Sequence, residues 1–375
     1  MTESVLSPRL QQVLGIDAPI LQSGMGGVAG AELAAAVSEA GGLGVLAALR
    51  LQPDQVRNAI REIRDMTAKP FGVNIWLHDD VRTPPDPTQV PDDIIRGSQT
   101  VLNEFRPRFE LPATVARPDA SADLVNAALE VMIEERIPVF SAAIGVPEAT
   151  LVQRFHEAGT TVVAMVATVE DAVSAVERGA DVIVAQGTES GGHRSYGTKR
   201  PKGDAIGQST LTLVPLVIDH VGGRVPVVAA GGIVDGRGLA AMLALGADGV
   251  LLGSRFVATK ESLASPVWKQ RMTTGYRNTT MTDGFTGQWA RVLTSEFTER
   301  WDESGAEPPP GLMQAALGGD LFRSAAKVDD DQMRPLYAGA GIAAMDDIPG
   351  AGEVVDRIVA QARVRLHFSA GEPST

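Results

Sequence analysis

One histidine in this sequence lies in a setting suited to proton transfer. His193 follows a glycine pair in AQGTESGGHRS (residues 185–195), which begins at the end of a predicted strand. Imidazole exchanges protons near neutral pH, and glycines leave room for a ligand beside it. Gln186, on the same strand, can both donate and accept hydrogen bonds. A solvated loop histidine is the simpler alternative, but this setting predicts that His193 is a general base.

Two glycine turns follow neighbouring predicted strands and could bind a phosphate group. They are VVAAGGIVDGRG (residues 227–238) and GVLLGSR (residues 249–255). Backbone N–H groups in such turns bind phosphate, often after the last two strands of a (β/α)8 barrel. Tight turns without a ligand are the alternative. The phosphate-binding candidates are Gly231, Gly232, Leu252, Gly253 and Ser254, to which Arg255 could add a charge.

A third glycine-rich segment, GMGGVA (residues 24–29), fits the G-x-G-x-x-A dinucleotide fingerprint. That fingerprint requires an acidic residue near the end of the second strand to bind a ribose, and this chain has AALR (residues 47–50) there. Arg50 could instead contact a phosphorylated ribose. We favour a surface on which a flat ring approaches the backbone, with Asn74 at the end of the third strand as a polar contact.

Alternating strands and helices position these segments. Short apolar runs separated by helical stretches give eight predicted strands by Leu252, and the Gly-Ala-Asp turn at 179–181 returns at 246–248. Runs that are apolar on both faces are typical of parallel strands covered by helices. Eight βα units without a hairpin signal predict an α/β fold, a (β/α)8 TIM barrel over 1–261, with an open doubly wound sheet as the alternative.

Two segments depart from this alternation. Residues 78–121 are Pro-rich and then weakly helical, and we interpret them as an insertion after the third strand. Beyond residue 261 the alternation stops. Residues 262–375 are therefore predicted to form a mostly helical C-terminal segment packed on the barrel.

Composition excludes several classes of function. The 375 residues carry a formal net charge of −13, so electrostatics favours neither nucleic acid nor an anionic membrane. The absence of cysteine excludes disulfides, thiolate nucleophiles and Cys-ligated clusters, and no histidine spacing indicates a metal site. The N-terminus lacks a signal-peptide pattern and no apolar run is long enough to span a bilayer. We therefore expect a cytoplasmic protein.

At these segments the sequence resembles the flavin-dependent nitronate monooxygenases, formerly called 2-nitropropane dioxygenases. The similar segments, in chain order, are ILQSGMGG, AGGLG, FGVNI, AQGTESGGHRS, VVAAGGIVDGRG and GADGVLLGSRFVATKES. The resemblance extends over about residues 13–360 and includes the tail segment LYAGAG (residues 336–341). It implies a TIM barrel with one non-covalent FMN that oxidises alkyl nitronates with O2 to carbonyl compounds and nitrite.

The same resemblance implies roles for individual residues. His193 would face the flavin ring and accept a proton. The residues that would bind the phosphate or line the flavin are Ser23, Gly24, Met25, Asn74, Gln186, Gly191, Gly232, Gly253 and Ser254. The first glycine loop, the loop before His193 and the tail differ from the family's usual sequences, which bears more on the substrate than on FMN.

Two alternatives to this function are kept. The first is an FMN-dependent, NAD(P)H-consuming reductase of enoyl-acyl-carrier-protein or enoyl-CoA, since such enzymes share the barrel, the glycine turns and the histidine. Arg194 and the 78–121 insertion favour the monooxygenase. The second is a barrel that binds a phosphate ligand without turnover. The expected partners are a small-molecule substrate and O2, with no nucleic acid and no membrane, and a homo-oligomer is left open.

Overall fold

The structure, a computed structural model, describes residues 6–119, 123–197, 207–275 and 278–370. Eight parallel strands form a nearly closed barrel, which confirms the predicted fold. A short strand outside the barrel, Gly192–His193, is β7 in chain order. The barrel strands are β1 (Ile20–Gln22), β2 (Gly44–Ala47), β3 (Phe71–Trp76), β4 (Val139–Ala143), β5 (Thr161–Val166), β6 (Val182–Gln186), β8 (Val227–Ala230) and β9 (Gly249–Leu252).

The first and last strands close the barrel. β1 pairs in parallel with β9, with Leu21 opposite Leu251. On its other side Leu21 forms a parallel bridge with Leu43, just before β2, and Gln22 N donates to Leu43 O at 2.9 Å. Because β1 contacts a neighbour on each side, the sheet curls into a nearly closed barrel, and the alternative of an open doubly wound sheet is excluded.

Helices cover the outside of the barrel. Two of them are Pro53–Met66 and Thr210–Val221. The others between barrel strands are Ala31–Glu39, Val125–Glu134, Ala149–Glu157, Val169–Glu177 and Gly236–Ala244. Within the described ranges no helix is both long and apolar enough to cross a membrane, and the cytoplasmic location stays a prediction.

The repeated Gly-Ala-Asp turn fastens neighbouring strands together. Gly179 and Gly246 have φ of 96° and 95°, in the left-handed region that favours glycine. Two residues later, a carboxylate accepts a backbone hydrogen bond from the preceding barrel strand. Asp181 accepts from Val162 N at 2.7 Å in β5, and Asp248 accepts from Val227 N at 2.9 Å in β8. The repeat therefore has a structural role at the amino ends of the strands.

The insertion after β3 packs on the C-terminal segment. Its α-helices are Asp79–Arg82 and Asp92–Phe105, joined by short 3-10 turns, and its residues 120 and 121 lie outside the described ranges. Buried Arg106 donates to Leu317 O at 3.0 Å and forms an ion pair with Asp320 at 3.2 Å. A buried guanidinium needs such partners, so this contact fixes the insertion against the C-terminal segment.

The C-terminal segment contributes a β-hairpin as well as helices. Its strands β10 (Thr279–Thr282) and β11 (Ala290–Leu293) are antiparallel, and β11 also pairs with β7. Its longer helices are Pro266–Thr273, Glu296–Ser304, Gly319–Lys327 and Ala351–Ala370. The last helix packs on Gly236–Ala244, where Gly236 N donates to Gln361 Oε1 at 2.9 Å. The boundary at residue 261 stays a prediction.

Replacing Asp248 by alanine is expected to lower the free energy of unfolding by about 1–3 kcal/mol, because the Val227 N–H is then buried without an acceptor. The matched control is Asp248→Asn, whose amide oxygen can still accept that bond. Both variants are measured by urea denaturation followed by circular dichroism. If the alanine variant is as stable as the asparagine variant, the strand-fastening role is wrong.

Candidate active site

A small cavity of about 40 Å³ lies at the carboxyl ends of β6, β8 and β9. Ligands bind at this end of (β/α)8 barrels. The predicted residues in its wall are Ser23, Gln186, Gly191, Gly231, Gly232, Gly253 and Ser254. The wall also contains Ser190, Gly339 and Gly341, which were not among the predicted residues. The two glycine turns and the loop that leads to His193 thus meet around one cavity.

The glycine turns leave backbone exposed to the cavity. Gly231 and Gly232 have φ of 131° and 68°, which residues with a Cβ rarely adopt. A Cβ on Gly231 would also lie 2.4 Å from Thr210 Oγ1. At Gly253, by contrast, the nearest neighbour of a Cβ would be Met25 Sδ at 3.6 Å. The glycine there preserves space in the cavity wall that a side chain would fill.

The cavity wall contains a buried hydroxyl group that has no partner. Ser190 is only 8% exposed, and its Oγ makes no hydrogen bond within the described part of the chain. Buried polar atoms are nearly always paired, so this one indicates a polar ligand group. Ser254 Oγ accepts a hydrogen bond from Gly339 N at 2.9 Å and keeps its own hydrogen for donation. Hydroxyl groups and free backbone N–H groups fit the predicted phosphate.

Gln186 lies in the cavity wall, but its side chain is committed to the protein. Its Oε1 accepts from Ser195 N at 2.8 Å, and its Nε2 donates to His193 O at 2.9 Å. Both amide atoms therefore hold the loop that carries the histidine. Gln186 therefore positions His193, and both polar atoms of the Gln186 amide already form hydrogen bonds within the protein.

Four predicted residues lie beside the cavity rather than in its wall: Gly24, Met25, Asn74 and Leu252. Asn74 Nδ2 donates to Ser141 O at 2.9 Å, and a Cβ on Gly24 would lie 2.3 Å from Asn74 Cβ. The Leu252 side chain is buried between the strands and the helices, while its carbonyl accepts from Ser23 N at 3.0 Å. These contacts position the first glycine loop next to the cavity.

His193 lies on β7, where the C-terminal hairpin holds it. It pairs in register with Ala290 of β11, and its Nε2 is 2.9 Å from Thr286 Oγ1. Its ring meets Trp76 edge-on with centroids 4.5 Å apart, and Tyr337 lies 5.0 Å away. The imidazole is thus enclosed by the barrel on one side and by the C-terminal segment on the other.

This enclosure keeps the imidazole neutral. Burial, and after it the positive charge of Arg50, lowers the pKa of His193 from 6.5 to about 3. Burial also raises the pKa of Tyr337 to about 12, so both rings are uncharged at neutral pH. A neutral imidazole has a free lone pair, which is the form that a proton acceptor requires.

Two arginines that directly follow predicted site residues are held by the protein. Arg255 pairs with Asp347 at 2.9 Å, so its charge is neutralised away from the cavity. Arg194 is buried, donates to Gln186 O at 2.9 Å and lies 5.6 Å above the Tyr196 ring. The cavity wall therefore presents hydroxyl and N–H groups rather than cations.

The residues around His193 were missed by the sequence reasoning. Trp76 directly follows the predicted third strand, and Tyr337 lies in the tail segment, but neither was given a role. Thr286 is 93 positions from the histidine that it contacts. No local pattern reports such a contact, because it forms only when the hairpin folds onto β7.

Comparisons with known proteins were made for the whole chain. The family model described as nitronate monooxygenase matches residues 7–361. A probable nitronate monooxygenase of Staphylococcus haemolyticus is 31% identical over 363 residues, which are 96% of this chain and 98% of that protein. A probable nitronate monooxygenase of Staphylococcus aureus strain MSSA476 is 30% identical over 361 residues, with the same coverage.

Solved structures are similar over nearly the full length. A nitroalkane oxidase from Streptomyces ansochromogenes is 33% identical with a TM-score of 0.85, covering 97% of this chain and 100% of that one. FabK from Thermotoga maritima is 31% identical with a TM-score of 0.75, covering 97% and 98%. The enoyl reductase domain of MlnA from Bacillus amyloliquefaciens, at 15% identity and a TM-score of 0.66, shares the fold. The chain therefore belongs to the nitronate monooxygenase family of flavin-dependent oxidoreductases.

Proposed function

We propose that this protein uses FMN to oxidise alkyl nitronates with O2 to carbonyl compounds and nitrite. The observation that carries the proposal is the position of His193, which aromatic rings enclose two residues from the cavity wall at Gly191. Membership of the family supports the oxidation of nitronates. We further propose that the cofactor is FMN, that the products are a carbonyl compound and nitrite, and that the histidine is the base.

FMN is the proposed cofactor because the cavity has the groups that its phosphate needs. The phosphate would be held by the glycine turns, the Ser254 hydroxyl and the unpartnered Ser190 hydroxyl. The isoalloxazine ring would be bordered by Ser23, Gly24, Met25, Asn74, Gln186 and Gly191. Bound FMN supplies the redox chemistry, accepting electrons from the substrate and passing them to O2.

His193 is the proposed general base. Thr286 Oγ1 can donate its single hydrogen to Gln288 O at 3.3 Å, and then it accepts a hydrogen bond from His193 Nε2. The imidazole is thereby held as the tautomer whose Nδ1 carries the lone pair. That nitrogen would take the proton from the α-carbon of a neutral nitroalkane, whereas a preformed nitronate has already lost this proton.

The two alternatives differ from this proposal in measurable ways. An enoyl reductase would consume NAD(P)H, whereas oxidation by O2 consumes no nicotinamide. The enoyl reductase domain of MlnA shares only the fold with this chain, and so adds nothing in favour of that activity. The non-catalytic alternative is set aside, because the chain belongs to a family of enzymes.

Purified protein is expected to show flavin absorbance, and under anaerobic conditions propyl-2-nitronate is expected to bleach it while NADH is not. The reason is that the nitronate, and not a nicotinamide, is the proposed electron donor. The measurement is the anaerobic absorbance spectrum after each addition, with buffer alone as the control. Rapid bleaching by NADH together with none by the nitronate would favour the enoyl reductase.

His193→Asn is expected to retain FMN but to slow turnover of neutral nitroethane by about 10²–10⁴-fold, the usual contribution of a general base. Turnover of ethyl nitronate should fall much less, because it needs no base. The matched control is His220→Asn, the same change at an exposed helix position, which should alter neither rate. Equal losses on both substrates would rule out the base role.

The lowered pKa of His193 also predicts a pH-dependent stability. In the unfolded chain this histidine takes up a proton near pH 6.5, but in the folded protein only near pH 3. Between these values the unfolded state binds more protons, so this contribution to stability falls as the pH falls. Urea denaturation at about pH 7.5 and about pH 5 should show wild type losing stability relative to His193→Asn. A difference that stays constant would contradict the burial of a neutral imidazole.

A further inference from the structure

A second cavity, of about 350 Å³, lies between the insertion after β3 and the C-terminal segment. Most of its wall is apolar, with Val81 and Pro84 from the insertion and Leu312 and Met313 from the C-terminal segment. It shares no lining residue with the cavity assigned to FMN. The proposed function has so far given it no role.

Arg50 links this cavity to the catalytic histidine. Its side chain is exposed and lines the cavity, and its charge acts on both His193 and Tyr337. Among the described residues it makes no hydrogen bond or ion pair. Arg194 and Arg255, in contrast, already form a hydrogen bond and an ion pair, respectively, within the protein. The cavity therefore has an available cation within electrostatic range of the proposed base.

Two carboxylates also line this cavity. Asp80 and Asp119 also line the wall, but neither contributes to the pKa of His193 or Tyr337, whereas Arg50 contributes to both. Asp80 belongs to the short helix after β3, where its N–H donates to His78 Nδ1 at 3.2 Å. Among the charged residues of this wall, Arg50 is therefore the one whose charge acts on the histidine.

A short series of contacts joins the cavity wall to His193. Thr286, which contacts the imidazole, is two residues before Gln288, whose Nε2 donates to Gly311 O at 3.3 Å. Gly311 packs on Asp80, since a Cβ there would lie 3.0 Å from Asp80 O. The same loops therefore border the histidine and the apolar cavity.

We propose that this cavity holds an extended apolar substituent of the substrate, with the anionic nitronate group at the Arg50 end beside His193. The inference rests on the proposed function and specifies its substrate class. A volume of about 350 Å³ falls within the range of small-molecule pockets and leaves room beyond a three-carbon nitronate. Because the chain carries a net charge of −13, an anion needs a local cation to approach, and Arg50 provides one.

A series of primary nitronates from ethyl to octyl tests whether the cavity holds the apolar substituent of the substrate. We expect kcat/KM to rise with chain length by about two- to fourfold per buried methylene until the cavity is full. Leu312→Trp and Ala315→Phe, both at partly exposed positions in the wall, should lower the octyl-to-ethyl ratio of kcat/KM about tenfold. Val364→Trp, at a position 55% exposed on another helix, is the control and should leave this ratio unchanged.

Arg50 is tested by comparing Arg50→Gln with Arg50→Lys. The glutamine variant should lower kcat/KM for ethyl and octyl nitronate alike by about tenfold, as expected for the loss of one partly screened charge contact. The lysine variant should restore most of the loss. In wild type kcat/KM should fall as ionic strength rises, and this dependence should weaken in Arg50→Gln.

Octanoate, an anion with an apolar chain that cannot react, measures binding without turnover. Titration calorimetry should show that the flavin-loaded protein binds octanoate, and that Leu312→Trp and Arg50→Gln weaken this binding. Oxidation of ethyl nitronate with no effect of chain length and no octanoate binding would overturn this inference and leave the proposed function intact. Failure to oxidise any nitronate would overturn the proposed function, and octanoate binding would still decide what the cavity holds.

Discussion

The site depends on close contact between the loop 337–341 and the glycine turns of the barrel. A Cβ on Gly341 would lie 2.2 Å from Gly232 O, so only glycine permits this approach. Two hydrogen bonds fix the same loop, from Ala340 N to Glu189 O and from Gly339 N to Ser254 Oγ, both at 2.9 Å. Side chains at these glycines would separate the two backbones, and the wall of the cavity would open.

The same contact determines the chemistry of His193. Trp76 comes from a barrel strand, whereas Thr286 and Tyr337 come from the C-terminal segment. Neither part alone encloses the imidazole, so its lowered pKa is a property of their assembly. Desolvation disfavours the charged form of a histidine, and the positive charge of Arg50 acts in the same direction. His193 therefore stays neutral well below pH 6.5.

Cations near the site fall into two groups. Arg194 and Arg255 are buried and hydrogen-bonded, and they stabilise the loops on which the cavity depends. Arg50 is exposed and faces the second cavity. The proposed phosphate site thus relies on hydroxyl and backbone N–H groups, while the positive charge that an anionic substrate would meet lies on the side of the histidine.

Much of the fold could be predicted from the sequence, because the sequence patterns that indicate strands, helices and turns extend over only a few neighbouring residues. Apolar runs and glycines act over a few residues, so they indicated the barrel strands and the helices between them. The glycine turns and the loop of His193 were likewise readable, because parallel strands of a barrel present their carboxyl ends at one face.

The sequence by itself determined the barrel, the segments that surround its mouth and the family. Only the tertiary structure decided that Gln186 is used to hold the His193 loop, that Arg255 is neutralised by Asp347, and that Thr286 and Tyr337 enclose the imidazole. The physical reason is that burial, pairing of charges and pKa shifts arise from contacts between residues far apart in the chain, which no local pattern encodes.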